Sequence, residues 1–150
     1  MGDFRVMNEK YVAKVVIDID APKSKVWEAL TEPDIIRQYL FGTEVMTDWQ
    51  VGSPITYKGT WEGKAYEDKG VVLENEPEKL LVSTFWSSLS GVPDLPENYQ
   101  TVRYELSAKN SGTRLVLTQD NNATQKDAEH SEQNWNMVLA GLKKLLELES

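Results

Sequence analysis

Cysteine is absent from the 150-residue chain. That excludes disulfides, iron–sulfur ligation, a thiolate zinc site and a thiol nucleophile. Histidine occurs once, at His130, so no imidazole pair can hold a metal. No apolar run approaches the roughly 20 residues that span a bilayer. The start, Met1-Gly2-Asp3-Phe4-Arg5-Val6, lacks the basic and apolar parts of a secretory signal, and Val6 stands where a myristoylation motif carries Ser or Thr. Positive charge is scarce: 16 Lys and Arg face 24 Asp and Glu, a net charge of −8. Neither nucleic acid nor an anionic membrane is expected as a partner of such a chain. Also missing are G-x-G-x-x-G, a P-loop, H-E-x-x-H and G-x-S-x-G. A cytoplasmic protein with no cofactor, no metal and no catalytic residue is expected.

What is present is periodic. Residues 11–20 are rich in β-branched side chains and read as a strand. Pro22 then suits the first turn of a helix carrying Val26, Trp27 and Leu30. Thr31-Glu32-Pro33-Asp34 predicts a hydroxyl-capped start for a second short helix with Ile35, Ile36 and Tyr39. Strands are expected at 43–48, 53–61, 65–75, 79–87, 99–108 and 113–120, separated by turn chemistry such as Glu62-Gly63 and Asn110-Ser111-Gly112. Val102, Tyr104 and Leu106 share one face, with Thr101, Arg103 and Glu105 on the other; Leu115 and Leu117 oppose Arg114, Val116 and Thr118. One dry and one wet face means an antiparallel sheet covered on a single side. The cover is a final helix, capped at Thr124, whose stripe of Trp135, Val138, Leu139, Leu142, Leu145 and Leu146 recurs at helical spacing. With no repeat or linker, residues 1–150 read as a single domain with its core at about 10–148.

That order of elements, with the segments Ala21-Pro22-Lys23-Ser24-Lys25-Val26-Trp27, Trp49-Gln50-Val51-Gly52-Ser53, Pro77-Glu78-Lys79-Leu80-Leu81-Val82, Phe85-Trp86 and Gly112-Thr113-Arg114-Leu115-Val116-Leu117, resembles the START-like (SRPBCC, Bet v 1-like) superfamily. Within it, the sequence resembles the branch named after the activator of the heat-shock-protein-90 ATPase. The resemblance implies an α+β helix-grip fold: about seven curved antiparallel strands wrapped around a long C-terminal helix, with two short helices after the first strand. It also implies a cavity between helix and sheet for a small hydrophobic ligand.

Set on that fold, Tyr39, Tyr57, Trp61, Phe85, Tyr104, Leu117, Gln119, Trp135, Val138 and Leu139 are the candidate cavity residues. Aromatic rings suit an orienting pocket, and equally suit a filled core. Parity leaves open which of Phe85 and Trp86 points inward. Gln119, polar on an apolar face near a strand end, is either a ligand contact or a residue that is wet or bonded to backbone. Asp120-Asn121-Asn122 reads as a turn, not a calcium loop. Ser88–Asn98 is long for a hairpin connection, and Leu89, Val92 and Leu95 there are read as a lid or as a mobile loop. Non-catalytic binding of a small hydrophobic or aromatic ligand, as carrier or sensor in a stress-related role, is the leading expectation. A chaperone-partner module is one alternative. A cyclase- or hydratase-type enzyme is another, with His130, Asp68 and Glu28 as scattered candidates.

Overall fold

A computed structural model describes residues 11–148. The N-terminal hexapeptide discussed above lies outside them. The elements run β1 (Ala13–Ile19), α1 (Lys23–Thr31), α2 (Pro33–Tyr39), β2 (Glu44–Met46), β3 (Pro54–Trp61), β4 (Lys64–Glu76), β5 (Leu80–Phe85), β6 (Gln100–Lys109), β7 (Gly112–Gln119) and α3 (Gln125–Leu148), with a single 3₁₀ turn at Pro96–Asn98 before β6. All seven strands join one antiparallel sheet in the order β1-β7-β6-β5-β4-β3-β2. This is the helix-grip arrangement that the family resemblance implies.

Alternation does most of the building. In β7, Thr113, Leu115, Leu117 and Gln119 are buried while the residues between them are not, and β1 repeats the pattern with Ala13, Val15 and Ile19. The dry faces meet Val26, Ala29 and Leu30 of α1 and Leu139, Leu142 and Leu146 of α3 in the larger core cluster. A smaller cluster joins Ile36, Val45, Ile55 and Val72 under α2. Glu62 and Gly63, both at positive φ, make the tight β3–β4 turn. Thr124 Oγ caps α3 by accepting the Asp127 amide at 3.0 Å.

Two local expectations need correction. Thr31 does not cap α2: its hydroxyl donates to the Trp27 carbonyl, closing α1, and α2 starts after Glu32 with no side-chain cap. Thr101 is buried, not wet, because Asp120 folds over it, accepting the Thr101 amide while its own amide donates to the Thr101 carbonyl.

Close approach of β4 to β5 accounts for Gly70. A methyl added there would sit 1.8 Å from the Thr84 carbonyl oxygen, and backbone cannot yield as a side chain can. Gly70→Ala is therefore expected to destabilise the fold by about 2 kcal/mol, read as a lowered urea midpoint.

Candidate functional site

The concave face is not filled from end to end. Beyond the two core clusters lies a cavity of about 320 Å³, bounded by the sheet, the α2–β2 turn and the first half of α3. Tyr57 and Trp61 of β3, Tyr66 and Asp68 of β4, Ser83 and Phe85 of β5, and Val102 and Tyr104 of β6 form the sheet wall. Asn134, Trp135 and Met137 supply the helix wall. Phe41, Trp61, Leu89 and Met137 are each about half exposed and make the rim, where Phe41 and Trp61 meet edge to face at 5.5 Å. Tyr66 can lie across the sheet because its partner is Gly59: a Cβ there would stand 2.4 Å from the Tyr66 hydroxyl. That hydroxyl shares a hydrogen bond of 2.6 Å with Thr43.

A chain of amides fixes the helix wall. The Trp135 indole donates to Gln119 Oε1 at 2.5 Å, Gln119 Nε2 donates to Gln100 Oε1, and Gln100 Nε2 donates to Asn122 Oδ1. Ser131 of α3 also donates to Asn122 Oδ1, while Asn122 Nδ2 donates to the carbonyls of Tyr11 and Gln119. Asp120-Asn121-Asn122 is an irregular connection, not the expected turn, and through Asn122 it binds the chain before β1, the end of β7 and the early part of α3 to one another. Tyr104 stacks edge-on against Trp135 at 6.1 Å.

Asp68 is the one charged side chain in the wall, and it is 9% exposed. Burial raises its carboxyl above the ordinary value, and hydrogen bonds from Ser87 and Ser88 offset part of that rise. The Ser88 amide donates to Oδ1 at 3.0 Å. Across the strand pair, Tyr57 stands opposite Asp68 on the same face. Burial pushes the Tyr57 phenol up to about 12 and also raises the Tyr104 phenol well above its ordinary value, so both keep their protons at neutral pH and remain donors.

Of the candidate residues, Tyr57, Trp61, Phe85, Tyr104, Gln119 and Trp135 meet at this cavity. Leu117, Val138 and Leu139 are buried outside it, Leu117 and Leu139 within the larger core cluster. Tyr39 donates to the Ala29 carbonyl at 2.7 Å and borders only a void of about 30 Å³ between the cavity and the core. Of the Phe85-Trp86 pair, Phe85 turns inward, while the Trp86 indole donates to the Val92 carbonyl. Leu89 joins the rim, but Val92 and Leu95 do not; their loop is held against the outer face by a Lys69–Asp94 ion pair and the Tyr99–Asp94 hydrogen bond. His130 and Glu28 are exposed and away from the wall. Thr43, Tyr66, Ser83 and Met137 were not anticipated. The parity of Tyr66 with Asp68 was the available signal for one of them. Among the described residues, no cluster suited to a metal ion is found, and no helix is long and apolar enough to cross a membrane.

The profile of the family described as Activator of Hsp90 ATPase homolog 1-like protein matches residues 20–147. No curated protein matches the sequence. Among solved structures, a protein from Cytophaga hutchinsonii determined in solution is similar over 97% of this chain and 98% of its own, with 50% identity and a TM-score of 0.82. A crystal structure from Mesorhizobium loti shares 24% identity at a TM-score of 0.74, covering 93% of this chain and 98% of that one. The Aha1 dimer from Colwellia psychrerythraea shares 22% identity over 91% of this chain and 96% of its own, at a TM-score of 0.70. The last two likenesses concern the fold alone.

Two outcomes follow from the wall. Gln119→Leu strands the Trp135 indole N–H and the Gln100 carbonyl oxygen, and should cost about 2 kcal/mol by urea denaturation. Because the fold holds the Asp68 proton more tightly than the unfolded chain does, stability falls as pH climbs from the unfolded carboxylate pKa through the raised folded value. Asp68→Asn removes that loss. The variant should therefore gain on the native protein as pH rises through this window, measured by paired denaturation curves; a constant difference across pH would contradict the burial argument.

Proposed function

Since the chain belongs to the family of Activator of Hsp90 ATPase homolog 1-like proteins, we propose that it uses the family's fold to bind a small apolar or aromatic molecule between α3 and the concave sheet, as a carrier or sensor. The observation that carries this reading is the cavity of about 320 Å³ walled by Tyr57, Phe85, Tyr104 and Trp135. Withdrawal of apolar ligand surface from water, at ~25 cal/mol per Å², supplies the drive. Protonated phenols supply orientation.

A filled interior beneath a large apolar outer patch would favour the chaperone-partner alternative; the open interior supports the ligand-binding reading instead. The enzymatic alternative has one observation in its favour: Asp68 is a buried titratable group beside the cavity. Neither His130 nor Glu28 shares that wall with it.

A neutral fluorescent probe, N-phenylnaphthylamine, should bind saturably with enhanced emission. Val102→Phe puts a ring into the cavity from the floor of β6, where Val102 is buried and part of the wall. It should weaken the probe about tenfold while the circular dichroism spectrum persists. Trp135→Ala, which enlarges the same space, should change the affinity as well. A folded Val102→Phe protein that binds the probe as the native one does would remove the cavity from the account.

A further inference from the structure

Resting on the ligand-binding reading, we infer that the guest is an organic cation: an apolar or aromatic body carrying a protonated amine, seated against Asp68. The wall contains one carboxylate and no Lys, Arg or His. A carboxylate in such surroundings is costly unless hydrogen-bonded and paired. Asp68 has the first without the second. Its hydrogen bonds come from neutral donors, Ser87 and Ser88. Lys69, the next residue, faces the opposite side of the sheet and is committed to Asp94.

The remaining polar groups of the wall are largely spent on one another. Thr43 pairs with Tyr66, Tyr57 with Ser83, and Gln119 with both Trp135 and Gln100. Beyond the phenol O–H groups of Tyr57 and Tyr104 and the Asn134 amide, all of them neutral, the cavity offers a ligand negative charge at one point and aromatic surface around it. Tyr57 is the cross-strand neighbour of Asp68, and Phe85 meets Tyr57 edge to face at 5.7 Å. An ammonium group beside a carboxylate and bordered by rings gains from both. A fatty acid or other carboxylate finds no cation to receive it and meets a like charge instead. The chain's net charge of −8 favours the approach of a cation in the same sense.

Three ligands of nearly equal shape separate this inference from the one beneath it: naphthylmethylamine, naphthylmethanol and naphthoate, titrated by calorimetry at neutral pH. The amine should bind roughly tenfold to a hundredfold more tightly than the alcohol, and naphthoate more weakly than the alcohol. Asp68→Asn should erase the gap between amine and alcohol. In the native protein, the Asp68 carboxyl carbon resonance should move with the amine and stay in place with the alcohol, a readout that needs no variant to fold. Alcohol binding with no advantage for the amine, or an advantage that survives Asp68→Asn, overturns the cationic guest and leaves the cavity reading intact. Failure of all three ligands to bind overturns both.

Discussion

The hydrogen bond from Trp135 to Gln119 decides how α3 stands over the sheet. Further along the helix, Leu139, Leu142 and Leu146 sink into the sheet in the ordinary apolar way. At Trp135 the contact becomes polar and directional, and it leads through Gln100 to Asn122. Every member of that chain is buried or half-buried, so losing one partner would leave others unpaired in a poorly solvated place. The large ring of Trp135 is thereby kept at a fixed height instead of sinking toward β6. Its edge-on partner Tyr104 holds it from below. The space between this half of the helix and strands β3 to β5 is what stays open.

The same sheet thus has two interiors of different character. Toward β1 and β7 the concave face is aliphatic and closed. Toward β3, β4 and β5 it is aromatic, hydroxyl-bearing and open, with a single carboxylate on β4. Glycine makes the second interior possible in one specific place: Gly59 leaves room for the ring of Tyr66, whose hydroxyl then reaches Thr43 beyond the sheet edge.

Much of the architecture was legible in the residues because it depends on period. The two-residue alternation of β7 and the helical stripe from Trp135 to Leu146 each have one physical solution, and the strands fall within a few residues of their expected bounds. The site was less legible. Parity places Tyr104 and Gln119 on the inner face, and the resemblance adds Tyr57, but neither says whether that face is filled. Tyr39 shows the limit: its helical position and inward direction are as expected, yet its hydroxyl closes on Ala29 and it serves the packing. Thr43, Phe41 and Met137 belong to a turn and to a half-exposed helix face, where no hydrophobic pattern marks a wall. Gln119 borders the cavity, but it is neither wet nor backbone-bonded through its side chain: its amide is engaged by the side chains of Trp135 and Gln100, which residue pattern alone does not signal.

The five tryptophans are not equivalent with respect to the cavity. Trp27, Trp49 and Trp86 stand outside its wall, whereas Trp61 and Trp135 belong to it. Trp61 is half in water; Trp135 is sheltered and its indole N–H is taken by an amide oxygen. Any occupant lies within quenching or energy-transfer reach of one wet and one dry chromophore at once. The protein therefore carries a built-in two-colour optical gauge of its own occupancy, with the remaining three indoles as an internal background.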